Sequence, residues 1–260
     1  MTGRGSSSVR RSSMTANWLL VFLVGQVAMA QTAPLRVMLS NGVKAVVDEL
    51  RPQCERAVGR PLEIQFGTAV SLQQKIEAGE GFDVALLTAE VIDDLIRSGK
   101  VARESRVDLA RCGIGVGVRA GAAKPAIGSD AALRRTLLDA KSIAYPGDGA
   151  SRFHVEKMLG RLGIAAEVKP KTILGRGSAG TGASVASGEA QILFTLLSEI
   201  PPLPGVQLVG PLPADLQGYV YFAAGVSAMG GNAEAGKKLI KFLTGNEAGR
   251  VYAAKGMEQR

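Results

Sequence analysis

An α/β fold is predicted for this 260-residue chain, and three observations carry it. Strand and helix signals alternate from Leu35 onward, the order expected when helices return the chain between neighbouring strands. Two short apolar runs, Leu35 to Leu39 and Leu62 to Phe66, each enter a cluster of small polar residues and then an amphipathic helix. Aromatic residues make up only 5% of the chain while glycine is plentiful, which suits layered elements joined by tight turns.

After the first strand, Val43–Glu55 is helical, with Val43, Val46, Val47, Leu50 and Cys54 on one face. The second strand leads to a short helix over Leu72–Ala78, and Asp83–Leu87 is a third apolar run. Ala89–Gly99 is helical and stops at Gly99. Val107–Arg119 is a long β-like run whose glycines at 113, 115 and 117 thin its interior. Gly121–Ser129 reads as a loop, Ala131–Leu138 as a helix and Ser142–Tyr145 as a strand. The turn Pro146-Gly147-Asp148-Gly149 then opens a strong helix, Ala150–Leu162. Lys171–Leu174 is extended and enters Gly175–Gly182, read as a flexible loop bordering a ligand. Gln191–Leu196, Val206–Val209 and Gly218–Val226 are the later strands, and Glu234–Leu243 is the final long helix. Val107–Arg119 and Gly218–Val226 are expected to cross between two lobes, their glycines serving as hinges.

Residues 1–30 read as a cleaved secretory signal. Arg4, Arg10 and Arg11 make a basic start, Trp18 to Val24 an apolar centre, and Ala28-Met29-Ala30 a small-x-small cleavage site. The apolar stretch is too short to span a bilayer comfortably, and no cysteine follows it to carry a lipid. Cleavage after Ala30 leaves 230 residues, and loss of the leader's three arginines lowers the net charge from +8 to +5. That balance fits an anionic ligand; nucleic acid is disfavoured, because lysine and arginine are dispersed and no aromatic-rich basic strand occurs. The two cysteines, Cys54 and Cys112, read as buried free thiols, with pairing left open. With one histidine and no C-x-x-C there is no argument for a metal site, and no cofactor is expected.

Several catalytic motifs fail on their spacing. Gly175-Arg176-Gly177-Ser178-Ala179-Gly180 satisfies G-x-G-x-x-G, but the next strand begins at Gln191, too soon for a full dinucleotide-binding unit, and Glu199 sits in a proline-rich turn. No phosphate-binding G-x-x-x-x-G-K-[ST] exists. His154 is the only imidazole and no G-x-S-x-G elbow accompanies it, so serine hydrolysis lacks its parts. What remains is a set of strand-to-helix turns. A helix N-terminus offers unpartnered N–H groups and a positive dipole end, which suits an anion. At Asp148 to Phe153 the turn adds Arg152, a planar two-pronged donor suited to a carboxylate.

These residues carry a family resemblance. Val37 to Val47, Phe66 to Val84 and Gly188 to Phe194 are similar to the corresponding phrases of periplasmic molybdate-binding receptors of ABC transporters, over nearly the whole mature chain. The resemblance implies a two-lobed periplasmic binding protein (a venus flytrap), each lobe a mixed sheet flanked by helices. Residues 31–111 and 216–260 would form one lobe and 112–215 the other. It implies ligand contacts at Ser40, Asn41, Gly42, Thr68, Ala69, Val70, Ser71, Ala150, Ser151, Ser178 and Thr195, with Leu196 at the same strand end, and Arg152 joins them from the turn chemistry. It also implies a periplasmic location, a small anionic ligand and an inner-membrane ABC permease as partner; a monomer is expected. The chain departs from the family pattern at Gly42 and Val70, where ligating serines fall, and at Leu196, where a tyrosine falls. Those departures and Arg152 favour a larger organic anion over a tetrahedral oxyanion.

Glu104 to Ile127, Ser142 to Ser151 and Ala186 to Gly210 further resemble a subgroup that includes a periplasmic aconitate isomerase. Such chemistry would use Arg152 as a carboxylate clamp and His154 as a distant base. The paired amides typical of that subgroup are absent at Thr195-Leu196, so a receptor without turnover is the expectation.

Overall fold

A computed structural model describes residues 33–260 together with the first two; the rest of the leader and its cleavage site lie outside the described residues. In chain order, β1 (Leu35–Ser40), α1 (Lys44–Val58), β2 (Leu62–Gly67), α2 (Ala69–Glu77) and β3 (Val84–Thr88) form a parallel unit, followed by α3 (Ala89–Arg97). Leu35 pairs with Leu62 and Val37 with Val84, so β1 lies between β2 and β3. The side chains of β3 alternate in what they bury. Val84 and Leu86 join the cluster that holds α1 through Val46, Val47 and Leu50, while Ala85 and Leu87 join the cluster that holds α2 and α3 through Leu72, Ile76, Ile92 and Leu95. Covering both faces is what the near-continuous apolar run of β3 requires.

The chain continues with β4 (Val107–Arg119), α4 (Asp130–Asp139), β5 (Ile143–Pro146), α5 (Ser151–Arg161), α6 (Ala165–Val168), β6 (Thr172–Gly175), α7 (Gly177–Ser187), β7 (Ile192–Leu196) and β8 (Val206–Pro211). Then come β9 (Tyr219–Val226), α8 (Ala233–Leu243), α9 (Asn246–Ala254) and β10 (Met257–Gln259). β5 pairs parallel with β6 and β7. β9 pairs antiparallel with both β3 and β4. β4 changes partners along its length: Val107–Gly113 lies against β9, whereas Ile114–Arg119 lies against β7 and β8. Of the two runs expected to cross, only β4 bonds to both strand sets; β9 stays with β3 and β4.

Three details differ from the sequence reading. The alternation of elements alone suggests parallel pairing, whereas every pair made by β4 and β9 is antiparallel, in keeping with the mixed sheet that the family resemblance implies. The segment read as a flexible loop, Gly175–Gly182, holds the first turns of α7 instead. Its composition of Gly, Ser, Ala and Thr hides the helix, because only Thr181, Gly182 and Val185 are buried and no apolar stripe shows. Glu234–Leu243 is followed by a further helix and a strand, α9 and β10, the latter closing on Ala110–Cys112 of β4. Cys54 and Cys112 are free and buried, and burial pushes the Cys54 thiol up to about 12. No helix among the described residues is long and apolar enough to cross a membrane.

Candidate functional site

Strand ends and helix starts meet around one small cavity of about 20 Å³. Each contributing turn follows a strand that ends there. β1 delivers Ser40 and Asn41, β2 delivers Thr68 and Ala69, and β5 delivers Gly149, Ala150 and Ser151. β6 delivers Gly177 and Ser178, and β7 delivers Leu196 and Glu199. The carboxyl ends of parallel strands are where α/β sheets present helix N-termini, which is why residues so far apart in sequence converge.

The donors differ in what already occupies them. Thr68 caps α2, accepting from the Ser71 N–H at 3.2 Å, and the Ser71 hydroxyl turns back to the Thr68 carbonyl at 2.9 Å. Ser71 is thus spent on the cap and does not line the cavity. Helix α5 begins with Ala150 as N-cap and α7 with Arg176, and neither has a side-chain cap. Their first-turn N–H groups therefore depend on other partners. One partner is the Asp148 carboxylate, which accepts from the Gly177 N–H at 2.8 Å. Gly177 holds a φ of +62°, a left-handed conformation in which glycine is the natural residue. Ser151 is 1% exposed and lines the cavity, and its hydroxyl has no hydrogen-bond partner among the described residues.

Among the described residues no cation lines the cavity, and the ionisable side chain there is Glu199. Burial pushes the Glu199 carboxyl above the usual carboxylate range, against the opposing pull of the Thr195 hydroxyl, the Leu196 N–H and Ser178. The Thr195 hydroxyl donates to Glu199 Oε2 at 2.5 Å, so this buried threonine supports the acid instead of facing the cavity.

Gly42 is also withdrawn. A Cβ there would lie 2.4 Å from Cζ of Phe222 and 2.9 Å from Cδ1 of Leu196, and its carbonyl accepts from the Ser198 hydroxyl at 2.7 Å. Val70 is about half exposed and lines a neighbouring chamber of about 440 Å³. That chamber shares Ala69, Gly149 and Ala150 with the small cavity and adds Phe153, His154 and Glu90. Burial holds the His154 imidazole below its ordinary value, partly opposed by Glu90. Arg152 lines neither space: its guanidinium bonds Glu156 at 2.8 Å and the Gly147 carbonyl at 2.9 Å.

The structure thus gathers Ser40, Asn41, Thr68, Ala69, Ala150, Ser151 and Ser178 around the cavity. It sets Val70 and His154 at the outer chamber, and leaves Gly42, Ser71, Arg152 and Thr195 off both walls. The residue that sequence reasoning passed over is Glu199, considered only as the acid of a rejected nucleotide motif. The available signal was its spacing from Thr195, one turn away at the end of an apolar strand.

A profile of bacterial extracellular solute-binding proteins matches residues 35–258. The chain belongs to that family. This solute-binding protein is 30% identical to an aconitate isomerase from Pseudomonas sp. over 255 residues, covering 96% of this chain and 97% of the relative. It is 26% identical to the molybdate-binding protein ModA of Azotobacter vinelandii over 234 residues, covering 87% and 90%. A solved structure of the Azotobacter vinelandii periplasmic molybdate-binding protein superposes with a TM-score of 0.73 at 18% identity, covering 86% of this chain and 98% of that one. L-phospholactate-bound PEB3 of Campylobacter jejuni does so with a TM-score of 0.66 at 14% identity, covering 87% and 100%. These two structures share the fold. Among the described residues no group of three or more His, Cys, Asp or Glu is arranged to hold a metal ion.

Proposed function

We propose that this solute-binding protein captures a small organic anion in the periplasm, between two α/β lobes, and delivers it to an ABC permease. One observation carries the reading: N–H groups and hydroxyls from five strand ends converge on a cavity with no cation, and the Ser151 hydroxyl there lacks a partner. A buried hydroxyl left unbonded costs roughly 1–3 kcal/mol, a cost that an acceptor oxygen entering the cavity would remove. Helix N-terminal dipoles supply the positive potential that a carboxylate or phosphate needs, without a salt bridge.

The lobe division at residues 31–111 with 216–260, and at 112–215, agrees with the change of β4 partners near Gly113 and Ile114. A cavity of about 20 Å³ holds roughly one water, so a polyatomic ligand enters by separation of the lobes. The adjoining chamber of about 440 Å³ gives the body of an organic anion somewhere to lie, with one charged head in the small cavity. A tetrahedral oxyanion would use the inner space alone.

The test is a thermal-shift panel of molybdate, sulfate, citrate and trans-aconitate. A ligand at 100 times its Kd stabilises the folded state by about 2.7 kcal/mol, which raises the midpoint by several degrees. The expected order places a carboxylate above both oxyanions. A flat response to all four, with a shift from a neutral sugar, overturns the reading.

The aconitate isomerase relative, matched along 96% of this chain, favours a second reading as an isomerase. Arg152, tied to Glu156 and Gly147, would have to turn inward to act as its clamp, while His154 already borders the outer chamber. Incubation with trans-aconitate is expected to yield no cis-aconitate. Steady accumulation with enzyme-like saturation would replace the receptor reading with this one.

A further inference from the structure

Glu199 is the one charge-bearing side chain on a wall otherwise built of hydroxyls, N–H groups and apolar carbon. An ionised carboxylate there would repel the anion that the rest of the cavity suits. We propose that Glu199 serves the site as a neutral carboxylic acid that donates its proton to an oxygen of the bound anion, making affinity fall as pH rises. This inference rests on the anion-binding reading above.

Among the described residues no charged partner acts on Glu199. Helix α7, strands β7 and β8, and Asn41–Val43 carry no titratable side chain. β4 brings only the Cys112 thiol, 3.4 Å from the Ser198 hydroxyl, and burial keeps that thiol above its ordinary value. Asp148 reaches the start of α7 but spends its carboxylate on the Gly177 N–H, and Arg152 is turned to Glu156. Among the described residues no cation is therefore placed to hold Glu199 ionised, and partial burial without a counter-charge favours the neutral form. Thr195 fixes Oε2 as an acceptor, which gives the acid a defined orientation; the Leu196 N–H and Ser178 also bond the carboxyl and favour its ionised form, and desolvation outweighs them. A carboxylic acid kept neutral in an apolar site is a strong donor to an anionic oxygen.

Two measurements on the full mature protein separate this proposal from the reading beneath it. The first needs no ligand: the infrared difference between wild type and Glu199→Gln near neutral pH should contain the C=O band of a protonated carboxyl. If it contains only ionised carboxylate bands, the proposal fails whatever the ligand. The second is calorimetric binding of trans-aconitate and of molybdate above about pH 7.5, where even the last carboxyl of the tricarboxylate, raised by its charged neighbours, is fully ionised. Above the Glu199 transition, wild-type affinity should fall about tenfold per pH unit, about 1.4 kcal/mol each. Glu199→Gln, whose amide can still donate, should bind with no such slope. Equal slopes in both proteins, or a flat wild type, overturn the donor role. If the protonated band is present but neither anion binds at any pH, the anion reading itself fails and takes the proposal with it.

Discussion

Replacing Ser151 with alanine should make the ligand-free protein more stable and the site weaker. Ser151 is almost fully buried and lines the cavity, and its hydroxyl has no partner among the described residues, so the ligand-free protein bears part of the cost of a desolvated polar group. That cost is roughly 1–3 kcal/mol in proteins. Some of the gain on its removal is offset by the small void left behind, so a net stabilisation of about 1 kcal/mol is expected. For a chain of this size that is a rise of roughly 2–4 °C in midpoint. With an anion bound the sign reverses, because a hydrogen bond to a charged group contributes about 1.5–3 kcal/mol and the variant lacks it. Affinity for trans-aconitate, or for whichever anion proves best, should fall about 10- to 150-fold. Calorimetric unfolding without ligand, paired with titration calorimetry, reads both numbers from one preparation. A variant that is less stable when empty and binds as tightly as wild type would show that Ser151 has a structural partner and that the cavity is not the anion site.

Gly42→Ser is expected to destabilise the protein by about 1–3 kcal/mol without tightening molybdate binding, since the added Cβ would meet Phe222 at 2.4 Å. Pairing it with Phe222→Leu should recover part of the loss, a coupling that a double-mutant cycle of midpoints detects. Thr195→Val removes a donor that opposes the burial of Glu199, so the pH at which anion affinity begins to fall should move upward. Titration calorimetry across pH checks this, and an unchanged or lower transition counts against it. Asp83 governs acid stability. Burial alone would raise its pKa, but the Arg36 N–H, the Asn232 amide and the Arg36 guanidinium together hold it below the usual value. A lowered folded pKa means the stabilisation is present above the unfolded aspartate value of 3.8 and is lost as pH falls through the folded one. Asp83→Ala should therefore cost about 1–3 kcal/mol at neutral pH and flatten the acid limb of a stability–pH curve, as measured by urea unfolding.

How far the fold could be read in advance depended on where its information is local. β3 stands out because its unbroken apolar run, Val84 to Leu87, ended by Thr88, marks a buried strand directly. Helix α7 does not, because its buried side chains are Thr181, Gly182 and Val185, too small for a hydrophobic stripe. Its closeness to β6 comes from Gly175, where a Cβ would sit 2.2 Å from Thr181 Oγ1, and that fit appears only in three dimensions. The antiparallel pairing of β4 and β9 was equally hidden, since direction is set by which strands become neighbours and not by the pattern along either one.

At the site, the backbone was more legible than the side chains. Strand-to-helix turns announce where N–H groups will be free, and Ser40, Thr68, Ala150, Ser151 and Ser178 do reach one cavity from turns spread across nearly 140 positions. What a side chain does once there is decided by competition among neighbours. Ser71 lies three residues from Thr68 and is taken by the helix cap. Arg152 lies four residues from Glu156 on the same helix face, and that local ion pair keeps it from the cavity. Glu199 follows the opposite logic. A proline-rich turn made it look solvated, whereas the close of β7 and the start of α7 leave it only partly exposed, with Thr195 as its partner. Its long-range surroundings turn an ordinary acid into the single titratable group on the wall. The selectivity of this solute-binding protein should therefore depend less on the turns around the cavity than on this one proton.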